Sequence, residues 1–119
     1  MKKAIEIQEK TLPSDSLDLA RTYAWIASTY DLMERYDLAL KYFSKALEIR
    51  QTKLPPEHPS IADIYNNLGA MYGSTKNYAE ALEFYQKAVE IRRKTLPPEH
   101  PELIRTEKNI RKVKDKMKK

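Results

Sequence analysis

The side chains able to carry chemistry are few, and their spacing repeats. The chain has two histidines, His58 and His100, each inside the same hexapeptide, LPPEHP, at 54–59 and again at 96–101. No carboxylate or nucleophile stands beside either at a spacing that would build a triad or a ligand set, so both read as structural loop residues. The carboxylates are solvated helix charges, such as Glu80 with Glu83, or Glu48 with its counterpart Glu90. Acid and base work by paired carboxylates needs an enclosing pocket, which a thin two-layer arrangement of helices rarely closes. With no cysteine there is no thiolate metal site, cysteine nucleophile or disulfide, and two glycines in all make no phosphate-cradling loop. No catalytic residue, metal or cofactor is therefore expected, and binding is the chemistry left.

Charge and length narrow this further. A chain of 119 residues suits one domain with a continuous core. The formal net charge of +5 is localised: residues 102–119 hold eight basic and three acidic side chains, while residues 1–101 balance. A basic stripe over the whole fold would point to nucleic acid; confinement to one segment leaves that, or an anionic membrane surface, as an alternative through the C-terminal helix only. Residues 1–11, MKKAIEIQEKT, lack the long apolar run and small-residue cleavage pattern of a leader, and no stretch approaches the roughly 20 apolar residues of a membrane span. A soluble, cytoplasmic protein without membrane contact is expected.

The twice-written hexapeptide is part of a longer repeat. Displacing the chain by 42 residues superposes Tyr23 on Tyr65, Tyr30 on Tyr72, Tyr36 on Tyr78, Ala39 on Ala81, Ala46 on Ala88 and Ile49 on Ile91. The segments KAIEI at 3–7, KALEI at 45–49 and KAVEI at 87–91 extend it. The organisation is thus the end of a second helix at 1–11, repeats at 12–53 and 54–95, and a terminal first helix, or cap, at 96–119. Ile61, Tyr65, Leu68 and Tyr72 fall on one helical stripe, as do Leu19, Tyr23, Ile26 and Tyr30, which defines helix A of each repeat. Tyr78, Ala81, Leu82, Tyr85, Ala88, Val89 and the stem of Arg92 continue as helix B. Pro55 and Pro97 stop helix B, whereas Pro59 and Pro101 suit a first helical turn. In the first repeat Ser16 is the expected N-cap, with Asp18 favourable beside it. Gly69 reads as a close helix contact and Gly73 as part of the helix A exit.

These positions resemble the tetratricopeptide repeat family. Tyr65, Leu68, Gly69, Tyr72, Ala81, Tyr85 and Ala88 match its pattern of large residue, Leu, small residue, Tyr, then Ala, aromatic, Ala, and Tyr23, Ile26, Ala27, Tyr30, Ala39, Phe43 and Ala46 match it again. The common period is about 34 residues. The longer one here, with its HP loop and YNNLGAMY at 65–72, is similar to the repeats of kinesin light chains. The first helix A departs from this, reading YAWIASTY, and the last unit has Glu107, Ile110, Arg111 and Lys114 at the signature positions. The resemblance implies an all-α fold, an α-solenoid of antiparallel helix pairs wound as a tetratricopeptide-like superhelix, of about six helices. In the 102–118 helix, Leu103, Ile104, Ile110, Val113 and Met117 are expected to form the inner stripe of a cap whose lysines face water.

The resemblance also implies that the second stripe of helix A lines a concave groove for partner peptides. That stripe carries Arg21, Ala24, Trp25, Ser28 and Leu32 in the first repeat, Asp63, Asn66, Asn67, Ala70 and Ser74 in the second, and Arg105, Lys108, Asn109, Lys112 and Lys116 in the last helix. Asn66 and Asn67 can donate to and accept from a peptide backbone, while Arg21, Arg105 and Lys108 supply charge for an acidic partner. Trp25 fits two roles, a ligand anchor or packing against a preceding helix. The expected function is a non-enzymatic protein-interaction module binding short acidic peptides, as in a cargo adaptor. A structural or self-associating repeat scaffold is the alternative, with homodimers formed through the uncapped N-terminal helix that carries Ala4, Ile5 and Ile7.

Overall fold

The computed structural model describes residues 16–118. They form α1 (Leu17–Leu32), α2 (Tyr36–Lys53), α3 (Pro59–Ser74), α4 (Tyr78–Thr95) and α5 (Pro101–Met117), with no strand among the described residues. The additional helix expected at 1–11, and the dimer contact assigned to it, lie outside the described residues. Two compact units divide between Pro55 and Pro56. In the first, α1 packs on α2; in the second, α4 packs on both α3 and α5.

Local chemistry sets the helix ends where the proline pattern puts them. Leu54 (φ −122°, ψ 155°) and Leu96 (φ −125°, ψ 151°) are extended because a following proline excludes the helical conformation. Pro59 and Pro101 then open α3 and α5 at their first turn. Ser16 caps α1, its Oγ accepting from the Asp18 N–H at 3.1 Å. His58 and His100 do the same for α3 and α5: each Nδ1 accepts a backbone N–H two residues on, from Ser60 and Glu102, both at 3.1 Å. The loop role expected of the histidines is thus a helix cap.

Both hairpins turn by the same device. Arg35 N–H donates to Tyr30 O and Glu34 N–H to Asp31 O; in the second unit Asn77 N–H donates to Tyr72 O and Lys76 N–H to Gly73 O. This pattern requires a left-handed residue, supplied by Glu34 (φ 60°) and Lys76 (φ 66°), at a cost a glycine would avoid. Gly73 lies in the last turn of α3, and its carbonyl accepts from the Lys76 N–H as part of the helix exit.

Each unit buries its signature residues. In the first these are Leu19, Tyr23, Ile26 and Ala27 of α1 with Ala39, Phe43, Ala46 and Ile49 of α2. In the second, Ala81, Tyr85 and Val113 form a core cluster flanked by Tyr72, Tyr78, Leu82 and Ile110. Gly69 lets the Tyr85 ring lie against the α3 backbone, where a Cβ would meet ring carbons at 2.7 to 2.9 Å. Partly buried aromatics stack beside each core, Tyr30 on Tyr42 and Tyr72 on Phe84, with ring centroids 5.9 and 5.5 Å apart.

The inner stripe of α5 differs from the expected one. Leu103 and Val113 are buried and Ile110 is half-buried, but Ile104 and Met117 are exposed, and Thr106 occupies the stripe. Ile104 lies one residue, about 100° of helix rotation, off the Leu103 direction, and Met117 is the final helical residue.

Thr106 is buried because it serves Arg92. That guanidinium, also buried, donates to the Thr106 hydroxyl, to the Glu102 carbonyl at 3.5 Å and to the Asp63 carboxylate at 2.9 Å. A charge taken from water is tolerable when paired and hydrogen-bonded, and this one links α3, α4 and α5. Two exposed pairs, Arg93 with Glu107 and Lys94 with Glu57, lie nearby, and Glu57 pushes the Lys94 ammonium above the usual lysine range.

Candidate functional site

In the second unit a cleft of about 300 Å³ opens between the C-terminal halves of α3 and α5. Its apolar surface comes from Ala70 and Gly73 of α3, Tyr78 and Tyr85 of α4 and Val113 of α5; its polar edge is Ser74, Asn109, Lys112 and Lys116. The 42-residue repeat places these walls, since Ala70 corresponds to Lys112 and Ser74 to Lys116. Gly73 leaves open space, as a Cβ there would have no neighbour within 4 Å. The Lys116 ammonium stands 5.9 Å from the centre of the Tyr78 ring, within cation–π range. The Ser74 hydroxyl donates back to Ala70 O at 3.1 Å, a bond internal to the helix.

No carboxylate of the described residues forms an ion pair with Lys108, Lys112 or Lys116. The cleft edge therefore carries uncompensated positive charge above an aromatic and aliphatic floor. Such a surface can take a side chain with an apolar stem and an anionic head, or a short acidic segment with one apolar residue turned inward.

The residues expected to bind are placed as follows. Ala70 and Asn109 line the cleft; Arg105 and Lys108 are exposed on α5, and Asn67 is half-buried on α3. Asp63 is exposed, and its Oδ1 accepts from the Arg92 guanidinium within the fold. Asn66 is half-buried, and among the described residues its Oδ1 is enclosed without a hydrogen-bond partner, so that oxygen is offered to a ligand only after the amide turns. Arg21, Trp25 and Ser28 belong to α1 in the other unit, where Trp25 is 65% and Leu32 86% exposed. Counting along helix A could not identify Tyr78 and Tyr85 as lining residues, because they come from helix B. The signal that could have found them is Gly73, a residue without a side chain at a position one turn before Asn77.

Among the described residues no three of His, Asp or Glu converge as a metal site. The two histidine Nδ1 atoms are occupied as helix caps. In the first unit the Asp31 carboxyl is pushed above the usual aspartate range by partial burial, and among the described residues no ion pair is found for it.

Comparison with known proteins agrees with the fold. The tetratricopeptide repeat family model matches residues 1–52, 18–94 and 60–110. No curated protein matches the sequence. Among solved structures, a Podosopora anserina kinesin light chain of nearly identical TPR-like repeats superposes with a TM-score of 0.86 at 25% identity, covering 94% of this chain and 53% of that one. A variant of that same protein gives a TM-score of 0.85 at 25% identity over the same shares. BtubC (BKLC) from P. vanneervenii gives 0.87 at 24% identity, covering 94% of this chain and 45% of its own. The chain thus spans about half the length of these structures. The expected all-α solenoid class stands, and the chain belongs to the tetratricopeptide repeat family, with repeats similar to those of kinesin light chains.

Proposed function

We propose that this chain is a non-enzymatic binding module, acting in the cytoplasm, that holds short acidic peptides in the cleft between α3 and α5. Tetratricopeptide repeats are protein-interaction modules, and the observation that carries the finer reading is the unpaired lysine edge over an aromatic floor. Lys112 and Lys116 supply attraction and orientation, Val113 and Tyr85 a surface for one apolar side chain, and Asn67 and Asn109 amides for the peptide backbone. Arg105 and Lys108 extend the positive field along α5. In the first unit, considered by itself, exposed Trp25 and Leu32 offer an apolar contact to a hydrophobic residue of a ligand.

Calorimetric titration with an acidic octapeptide carrying one Leu, and with its Gln-substituted neutral counterpart, tests this. The acidic peptide is expected to bind with strong salt dependence, and Lys112→Glu with Lys116→Glu to remove that binding. Equal affinity for both peptides contradicts the proposal. Tighter binding of a single-stranded oligonucleotide of equal charge would move the function to nucleic acid.

A further inference from the structure

Resting on the acidic-peptide reading above, we infer that the cleft selects peptides whose carboxylates stand at alternate positions, bound in extended conformation along the α5 axis. Lys112 and Lys116 line the cleft, and exposed Lys108, one turn earlier and beyond its lining, continues their row, so the three fall at i, i+4 and i+8 of one continuous helix. Successive members therefore rise about 6 Å along the axis. An extended chain places same-side residues about 6.6 Å apart. The mismatch is well within the reach of the flexible lysine stem, so three carboxylates at i, i+2 and i+4 of a strand meet three ammoniums in register. Contiguous carboxylates do not, because every second side chain points to the opposite side of the strand.

The opposite wall suits a strand. Ala70 is small and Gly73 has no side chain, so a peptide backbone can approach α3 closely there. A partner helix with Glu at every fourth position would match the 6 Å rise equally well, but a helix is about 10 Å across. A cleft of about 300 Å³ holds side chains of a ligand and not the flank of a helix.

The test uses three fluorescein-labelled dodecapeptides of equal composition and charge, followed by anisotropy. One has three Glu at alternate positions, one has three contiguous Glu, and one is helix-favouring with Glu at every fourth position. The alternating peptide is expected to bind about 1.5- to fivefold tighter than the contiguous one, the range one additional exposed ion pair provides. Lys108→Gln should weaken the alternating peptide alone and abolish the preference, since the contiguous peptide still reaches Lys112 and Lys116. Lys112→Gln should weaken both. Equal affinity of the alternating and contiguous peptides, both weakened by Lys112→Gln, overturns the spacing rule while leaving the acidic-peptide reading intact. Tightest binding of the helical peptide overturns the extended conformation. Indifference of all three to Lys112→Gln overturns the acidic-peptide reading itself. Both substituted lysines are exposed, and circular dichroism melting verifies the fold of each variant.

Discussion

Asp63 and Arg92 meet at 2.9 Å within the second unit, the guanidinium side chain 7% exposed and the carboxylate side chain 54%. The asymmetry determines how the pair responds to mutation: the arginine depends on the aspartate more than the reverse, because only the aspartate has water as a substitute partner. Asp63→Ala is expected to destabilise the fold by about 1.5 to 3 kcal/mol, the range for losing a hydrogen bond to a buried charge. The double variant with Arg92→Met should recover part of that loss. Urea unfolding of the double-mutant cycle checks this; an Asp63→Ala midpoint equal to the parent's would show that Arg92 is satisfied without it.

The two glycines should respond with opposite sign. Alanine gains about 1 kcal/mol of helix propensity over glycine at either site. At Gly73 nothing opposes the gain, so Gly73→Ala should stabilise. At Gly69 the new methyl meets the buried Tyr85 ring, and overpacking of about 1 to 3 kcal/mol outweighs it. Thermal melting of the two variants should show a rise and a fall; two rises would mean that Tyr85 moves aside freely.

His58 and His100 act as helix caps, so their replacement has a defined stability effect. Alanine at either position should cost about 1 kcal/mol, while aspartate, a stronger cap, should retain the parent stability or exceed it. Equal loss with alanine and aspartate, measured by chemical denaturation, would show that the imidazole serves a different contact.

Much of this was legible in the sequence for a physical reason: helix starts and stops follow from proline, serine and apolar period, all local properties. The Asp63–Arg92 link was not, because its partners lie 29 residues apart and the corresponding pair in the first repeat is Arg21 with Arg50, two like charges. Helical counting placed Asp63 on an exposed stripe, correctly, but carried no information on which distant side chain reaches it. The hydrogen bond from Arg92 to Thr106 is equally non-local, although burial at 106 matches that of Ile64 at the equivalent position. The candidate site was legible on one wall only. Ala70 and Asn109 follow from the helix A stripe, whereas Tyr78 and Tyr85 enter the cleft from helix B, Tyr85 through its packing against Gly69.

Asp31 gives a pH signature in the first unit. Burial raises its folded pKa above the unfolded value of 3.8, so the ionised form is less favoured in the fold than in the unfolded chain. The aspartate's relative stability is therefore full below that value and is lost as pH rises through the folded pKa. Asp31→Asn should stabilise at neutral pH, helped by removing an anion from the last turn of α1, and the advantage should shrink as the solution is acidified through the carboxylate range. Melting temperatures of both proteins between pH 3 and 7 check this, and a gap that widens on acidification would contradict it.

The central claim is that ligand is held by the cleft between α3 and α5. Its most direct measurement is amide chemical-shift mapping by nuclear magnetic resonance, on the 15N-labelled chain titrated with an acidic octapeptide carrying one Leu. Saturable shifts of Ala70, Gly73, Ser74, Asn109, Lys112 and Lys116, absent with the neutral counterpart, are the predicted result. Saturable shifts confined to Arg111 and Lys114 on the other side of α5, with the cleft residues unmoved, would contradict it.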